Sequence, residues 1–328
     1  MASLCKHFAM DSRLLLSIAL ASYNGERYIG QQLDSIARQT RLPDELIVSD
    51  DASSDRTRAI VRDFARHVPF AVRLLTNPKR TGSTCNFEIA IRACSGDVIF
   101  LCDQDDFWYE NKIALIEDRF ISSPKTSVVF TDGDVVDENL LPIGSRLWET
   151  FRFNPTEQRQ VAACGTFDVL LRHPIVTGAT MAFRSTCRGL ILPLANTWHD
   201  AWISLLVAAT SCLDALPTPL IAYRQHGANQ VGIPRRGGSR GKSHAEIYEA
   251  RILLYEAARE RLLQFDGGVS TSEQKIYRLD EALSFLHFRT VLPKAWWRRL
   301  PGAIRALVAG DYHRYGYGWR TFIKDLVR

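Results

Sequence analysis

The sequence predicts an α/β protein in which helices cover both faces of a mixed, mostly parallel sheet, followed by a helical C-terminal extension. Two patterns predict this class. Short apolar runs alternate with helical segments from residue 14 to residue 102, and beyond residue 244 apolar side chains recur at helical spacing. The 328 residues are 46% hydrophobic, which is enough to bury a core and excludes a disordered chain.

The N-terminal third alternates strands and helices. Asn24-Gly25 ends the first strand, and a helix follows because Ile29, Leu33 and Ile36 share one helix face. The predicted strands are Leu14–Ala21, Leu46–Ser49, Val72–Thr76 and Val98–Cys102, and the further helices are Ile60–Arg66 and Phe87–Ala93. Strands joined through helices lie parallel, and such sheets bind ligands at the carboxyl ends of their strands.

The middle of the chain continues this alternation less regularly. A helix with Ile113, Ile116 and Phe120 on one face leads to a strand and then to a long irregular stretch from Pro142 to Pro155. The remaining predicted elements are strands at Ser127–Thr131 and Gly178–Arg184, a helix over 202–209 headed by His199-Asp200, and a strand from Leu220.

Composition divides the chain into three parts. Residues 1–232 form the main α/β domain, 233–243 form a Gly- and Arg-rich loop, and 244–328 form the helical extension. The extension is predicted from two sets of apolar residues at helical spacing, which are Ile247, Ala250, Leu254 and Ala257, and Ile276, Leu279, Leu283 and Leu286.

The net charge of +5 is concentrated at the C-terminus, since the last 40 residues contain nine basic and two acidic side chains. The rest of the chain is slightly acidic, which argues against a nucleic-acid partner. Trp296, Trp297 and Trp319 are interleaved with the basic residues of this tail. Such a tail fits an anionic membrane surface, and the alternative is a helical cap that packs on the main domain.

The seven cysteines include no C-x-x-C pair, so we expect free, mostly buried thiols in a reduced, cytoplasmic setting. The apolar run at Leu14–Ala21 is too short for a secretory signal and is interpreted as a strand. The longer apolar stretch, Ala201–Tyr223, is interrupted by Asp214 and two prolines, so no membrane-spanning helix is expected.

Two acidic turns follow predicted strands. Asp50 and Asp51 come directly after the second strand, where they could bind a base and a ribose or simply cap the next helix. Asp103, Asp105 and Asp106 follow the strand that ends at residue 102. Carboxylates this close repel one another unless a cation offsets them, so the second turn favours a Mg²⁺ or Mn²⁺ site over a helix cap.

Four segments in this order resemble the family 2 glycosyltransferases of the GT-A fold, and more narrowly the rhamnosyltransferase-like branch of bacterial surface-polysaccharide enzymes. They are Ala21–Gly25, Ser49–Asp55, Asn77–Gly82 with Asn86-Phe87, and Asp103–Trp108. The resemblance covers residues 14–232 and implies that this region is a GT-A nucleotide-sugar-binding and catalytic domain.

The resemblance also implies roles for single residues. Asp51 would accept a hydrogen bond from the pyrimidine N3–H, Asp103 would face the ribose or the metal, and Asp105 would bind the metal. The residues bordering the base and ribose would be Ser22, Tyr23, Asn24 and Glu26. The metal would neutralise charge on the departing nucleoside diphosphate.

The remaining implied roles fall in the second half of the domain. Asp200 would be the general base, with His199 tuning it or touching the acceptor, and the alternative for Asp200 is a helix N-cap. Arg224 suits a diphosphate contact because of its forked donors. His226 would be a third metal ligand or a diphosphate contact, and the alternative is a structural histidine.

The expected function is therefore a metal-dependent inverting glycosyltransferase. It would move L-rhamnose from dTDP-rhamnose to a lipid-linked saccharide. The reaction would belong to surface-polysaccharide synthesis at the inner face of the cytoplasmic membrane. The alternatives are a UDP-hexose or UDP-N-acetylhexosamine donor, and a nucleotide-sugar-binding module without turnover. A nicotinamide oxidoreductase is disfavoured because Ala21–Gly25 stands where G-x-G-x-x-G would be required.

Overall fold

The computed structural model describes residues 13–227, 244–265 and 273–327. Its strands are β1 Leu16–Ser22, β2 Glu45–Asp50, β3 Ala71–Thr76, β4 Val98–Asp103, β5 Phe107–Trp108, β6 Thr126–Val136, β7 Pro142–Arg146, β8 Met181–Arg184 and β9 Cys212–Arg224. Its helices in the first 227 residues are α1 Ile29–Ala37, α2 Thr57–Phe64, α3 Ser83–Ala93, α4 Lys112–Ser122, α5 Leu147–Thr150, α6 Pro155–Ala162, α7 Thr166–Leu170, α8 Arg188–Ile191 and α9 His199–Thr210. The C-terminal helices are α10 His244–Gln264, α11 Glu273–Thr290, α12 Trp296–Val308, α13 Asp311–Tyr315 and α14 Trp319–Val327.

The strands form one mixed sheet. In the described residues its order is β3-β2-β1-β4-β8-β6-β9-β5, with β7 paired to β6. The first four strands are parallel, β8 is antiparallel to both neighbours, and β6 and β9 are parallel to each other. The predicted class is confirmed: the sheet is mixed and mostly parallel, and a helical C-terminal region follows it.

The parallel half of the sheet explains where a ligand can bind. Every residue of β1 and β2 is buried, as expected of central strands with helices on both faces. The register pairs Ser22 with Asp50 and Ala21 with Asp103, so three neighbouring strands end side by side. The polar residues that follow these strands are therefore brought to one edge.

Several segments differ from the sequence-based expectation, among them the strand β9, which begins at Cys212 and not at Leu220. The stretch from Pro142 to Pro155 contains the strand β7 and the short helix α5, because residues 142–146 pair with the end of the long strand β6. The predicted strand Gly178–Arg184 begins with a 3-10 turn at Gly178–Thr180, and only residues 181–184 are extended. Neither feature has a strong periodicity in the sequence.

The expectation of free thiols is wrong for two cysteines. Cys164 and Cys212 are joined by a disulfide across 48 residues of sequence. Cys164 follows α6 and Cys212 begins β9, elements that pack together only in the folded chain. The other described cysteines are free, with Cys85 exposed and the remaining three buried.

The C-terminal helices pack on the main domain and on one another. Arg251 and Tyr255 of α10 donate hydrogen bonds to the carbonyls of Leu171 and Leu170. The predicted loop at 233–243 lies outside the described residues. None of the described helices is both long and apolar enough to cross a bilayer.

Candidate active site

The first acidic turn is organised around a fixed carboxylate. One oxygen of Asp51 accepts hydrogen bonds from Asn77 Nδ2 at 3.0 Å and from the amide and hydroxyl of Thr81 at 2.7 and 2.8 Å. The other oxygen accepts from the Gly82 amide at 2.8 Å. Burial alone would raise the pKa of Asp51, but these donors outweigh it and lower the pKa. Asp51 is therefore an ionised, oriented acceptor, and the oxygen with one donor can accept another.

The residues after β1 line the same edge. Ser22 is buried, Tyr23 is partly buried, and Asn24 and Glu26 are exposed. Asn24 Oδ1 accepts from the Ser54 amide at 2.9 Å. Glu26 Oε2 accepts from the Arg56 amide, also at 2.9 Å. These side chains thus join the loop after β1 to the loop after β2.

Gln104 is a residue of this edge that the sequence did not single out. Its side-chain oxygen accepts from the Tyr23 amide at 2.9 Å, and its side-chain nitrogen donates to the Tyr23 carbonyl at 3.0 Å. The Gln104 amide thus pairs with the Tyr23 main chain as a neighbouring strand would, and this pairing fixes Tyr23. The centroid of the Tyr23 ring lies 4.2 Å from the Arg80 guanidinium carbon. The only sequence signal was an amide inside an otherwise acidic turn.

The second acidic turn contains carboxyls with strongly perturbed protonation. Burial, followed by the charges of Asp105 and Asp200, raises the pKa of Asp103 to about 7. Burial also raises the pKa of Asp106, with Asp105 and Asp103 adding to the effect. The fold therefore brings Asp200, which is distant in sequence, within electrostatic reach of the turn.

The proposed metal ligands form a pair. His226 Nε2 lies 2.8 Å from Asp105 Oδ2, and the His226 ring stacks on Tyr28 with the ring centroids 4.6 Å apart. Among the described residues no group of three or more His, Cys, Asp or Glu side chains is arranged as a metal site. A carboxylate with a neighbouring imidazole still fits a divalent cation that completes its shell with phosphate and water, as Mg²⁺ commonly does.

Arg224 is placed differently from the expectation that it contacts a diphosphate. Its guanidinium donates to the Asp105 carbonyl at 2.6 Å, the Glu138 carbonyl at 2.7 Å and Gln31 Oε1 at 2.7 Å, and the residue is 1% exposed. Its backbone amide also donates to Asp106 Oδ1 at 3.0 Å. In this conformation Arg224 holds the second acidic turn in place, and at least three of its five guanidinium N–H groups donate to the protein.

Asp200 lies within the first turn of α9 and is not its N-cap, which is Trp198. Its Oδ1 accepts from the Ala201 amide at 2.7 Å and its Oδ2 from the Gly178 amide at 3.2 Å. The neighbouring His199 ring stacks on Phe87 at 4.2 Å. Burial lowers the pKa of His199, although Asp200 acts to raise it, which favours a neutral imidazole.

Sequence comparisons relate the chain to one family of enzymes. The family model described as glycosyl transferase family 2 matches residues 17–174. The dTDP-rhamnosyl transferase RfbG of Shigella flexneri is 36% identical over 229 residues, covering 65% of this chain and 73% of the relative. The UDP-Glc:alpha-D-GlcNAc-diphosphoundecaprenol beta-1,3-glucosyltransferase WfgD of Escherichia coli is 32% identical over 125 residues, covering 38% of this chain and 48% of the relative.

Solved structures share the fold. TarS residues 1–349 from S. aureus, in complex with UDP, gives a TM-score of 0.55 at 17% identity and covers 84% of this chain and 71% of its own. The mannosyltransferase PcManGT from Pyrobaculum calidifontis, in complex with GDP-Man and Mn²⁺, gives 0.52 at 21% identity and covers 92% and 76%. At these identities the similarity shows the fold alone, and it confirms the predicted GT-A architecture.

The predicted resemblance is therefore confirmed at the level of family and fold. The match to the family model and the identity to RfbG over most of both chains both indicate a family 2 glycosyltransferase. This chain belongs to glycosyl transferase family 2 and is a glycosyltransferase.

Proposed function

We propose that the chain transfers a sugar from a nucleoside diphosphate to an acceptor hydroxyl with inversion, and that Asp200 is the general base. The observation that carries this proposal is the convergence of Asp200 with the second acidic turn. Asp200 Oδ2 binds the amide of Gly178, and the turn that begins there packs on β4, the strand that ends at Asp103. The charge of Asp200 accordingly acts to raise the pKa of Asp103, although the two residues are almost a hundred positions apart in sequence. A base opposite the leaving group is what a single inverting displacement requires.

One group of side chains would bind the nucleotide of the donor, and Asp200 would act on the acceptor hydroxyl. Asp51 accepts a hydrogen bond from the base through the carboxylate oxygen that has one protein donor. Tyr23, held by Gln104, borders the base together with Ser22, Asn24 and Glu26. Asp200 takes the proton from the attacking hydroxyl, and the Gly178 amide keeps one of its oxygens oriented.

Asp105 and His226 would hold the divalent cation, with Asp103 beside them. When bound, Mg²⁺ or Mn²⁺ supplies Lewis-acid stabilisation of the departing diphosphate. The 2.8 Å contact between Asp105 and His226 supports this assignment, as does the Mn²⁺ in the mannosyltransferase of the same fold. The role of Arg224 is to hold this turn, because its guanidinium already has three protein acceptors.

The proposed donor is dTDP-L-rhamnose, which the identity to RfbG supports. The second candidate is a UDP-hexose or UDP-N-acetylhexosamine, which the match to WfgD favours over a shorter part of the chain. A panel of nucleotide sugars, assayed by release of nucleoside diphosphate with Mg²⁺ or Mn²⁺, distinguishes the donors. Absence of release with every donor and acceptor, despite nucleotide binding, would contradict the enzymatic proposal and support a binding module.

We also propose a lipid-linked saccharide acceptor for surface-polysaccharide synthesis at the inner face of the cytoplasmic membrane. The diphosphoundecaprenol in the name of WfgD supports this class of acceptor. In this arrangement residues 1–232 carry the chemistry, and the extension at 244–328 contacts the membrane. The exposed tryptophans and cations of the last helices support the membrane contact.

A further inference from the structure

Lys112, the first residue of α4, is a fully buried lysine, and burial lowers its pKa to about 7. Its side chain has no exposed surface, and its ammonium donates to the Ala179 carbonyl at 2.6 Å. The same ammonium lies 4.0 Å from the centroid of the Trp108 ring. Burying an ammonium opposes folding unless its interactions offset the lost hydration. Its acceptor is a main-chain carbonyl, so the contact fixes a backbone segment.

That backbone segment is the 3-10 turn Gly178–Thr180, which also touches the candidate base. The Gly178 amide donates to Asp200 Oδ2 at 3.2 Å. A Cβ on Gly178 would lie 2.7 Å from His199 Nε2, so the turn packs directly against the residue beside the base. Displacing the turn would therefore displace the surroundings of Asp200.

Lys112 also lies close in sequence to the second acidic turn. Its ammonium lies over Trp108, which is five residues after the strand-end carboxylate Asp103. The ammonium that lies over Trp108 is the same group that donates to the Ala179 carbonyl. It therefore joins the segment that follows the second acidic turn to the Gly178–Thr180 turn, whose Gly178 amide binds Asp200.

We propose that Lys112 is a positioning residue that fixes the Gly178–Thr180 turn, and through it Asp200, relative to the second acidic turn. Because Lys112 is fully buried, it touches neither donor nor acceptor in this conformation. The inference rests on the proposed role of Asp200. Its physical basis is that a displacement of about 1 Å in a catalytic group can lower a rate about 100-fold.

The test replaces Lys112 by Met in the full chain, which keeps the length of the side chain and removes the donor. The matched control is Lys275→Met, since Lys275 is partly buried and, like Lys112, donates to a main-chain carbonyl, that of Ala208 at 2.7 Å. Steady-state transfer gives kcat and the KM for the donor, calorimetric titration of dTDP and UDP gives nucleotide binding, and thermal unfolding gives Tm.

For Lys112→Met we expect kcat to fall about 10- to 100-fold while the nucleotide Kd stays within about twofold. Lys275→Met should leave kcat unchanged even where its Tm falls by a comparable amount. Wild-type kcat in Lys112→Met, or a loss of nucleotide binding in proportion to kcat, would overturn the inference.

A second variant decides the matter if Lys112→Met does not fold. Gly178→Ala displaces the same turn from the opposite side, because its methyl would meet His199. The same selective loss of kcat supports the inference, and an unchanged kcat contradicts it. A wild-type chain that transfers no sugar at all would instead contradict the proposed function.

Discussion

At the scale of single residues, the proposed mechanism depends most on Asp200, the general base. Asp200→Asn retains the shape of the side chain and an oxygen that can accept from Gly178. It removes the capacity to take a proton, so we expect kcat to fall about 100- to 10,000-fold. Nucleotide binding, measured by titration, should be unchanged.

The control for this variant is Asp168→Asn. Asp168 also lies in the first turn of a helix, α7, but its carboxylate pairs with Arg278 of the C-terminal region. We expect it to retain the wild-type kcat. Equal kcat values in Asp200→Asn and the wild type would exclude Asp200 as the base.

Asp51 gives a prediction about pH and stability. Its folded pKa is lowered, so its contribution to stability is fully present above its unfolded pKa of about 3.9 and is lost as pH falls through the folded pKa. Asp51→Asn replaces a carboxylate that accepts four hydrogen bonds by an amide whose nitrogen cannot accept any. We expect this variant to lower the unfolding free energy at pH 7 by about 1–3 kcal/mol. Urea unfolding at pH 7 and at lower pH should show this difference shrinking with acidification.

The reference variant for Asp51 is Asp63→Asn, whose carboxylate is 69% exposed. We expect the unfolding free energy of this variant to stay within about 0.5 kcal/mol of the wild type. A difference between Asp51→Asn and the wild type that grows as pH falls would have the wrong sign for the proposed ionised acceptor.

At the scale of elements, the C-terminal helices are joined by a buried ion pair. Arg289 of α11 donates twice to Asp325 of α14, at 2.6 and 2.7 Å, and the two side chains are 5% and 1% exposed. Tyr312 of α13 donates to the same carboxylate at 3.2 Å. The pair therefore connects three helices through one carboxylate.

Arg289→Met should leave Asp325 buried and without its cation, at a cost of about 3–5 kcal/mol. Amide hydrogen exchange should accelerate in α12 and α14, which pack on each other, before it does so in the sheet. Arg259→Met removes a pair whose partners are 41% and 43% exposed, and it should lower the unfolding free energy far less than Arg289→Met does. Equal effects of the two variants would contradict the structural role of the buried pair.

At the scale of the whole molecule, the last helices present one apolar and basic surface. Trp297, Ile304 and Val308 of α12 recur at helical spacing and are 50%, 45% and 83% exposed. The corresponding residues of α14 are Trp319, Ile323 and Val327, with Arg320 and Lys324 exposed beside them. Asp325, the only carboxylate of α14, is buried, and we propose this surface as the site that contacts an anionic bilayer.

The double variant Trp297→Ser, Trp319→Ser tests this surface without disturbing the core. We expect about tenfold weaker cosedimentation with vesicles of phosphatidylglycerol and phosphatidylcholine, because apolar area that inserts at the interface is lost. Leu141→Ser is the control, since Leu141 is 62% exposed in the main domain. Unchanged vesicle binding in the double variant would refute the membrane contact and favour the helical-cap alternative.

The sequence alone determined the order of strands and helices in the N-terminal third, the fold class and the family. It could do so because these follow from local patterns: apolar period, turn residues, and polar residues placed directly after strands. It also identified both acidic turns and the pair His199-Asp200, since each is a short contiguous segment.

Only the tertiary structure decided which of those segments meet and with which partners. The bond of Lys112 to Ala179, the ladder between Gln104 and Tyr23, and the disulfide of Cys164 join residues far apart in sequence. Three acceptors of the Arg224 guanidinium also come from separate parts of the chain. Contacts of this kind depend on how the sheet and loops pack, and a local pattern contains no information about that packing.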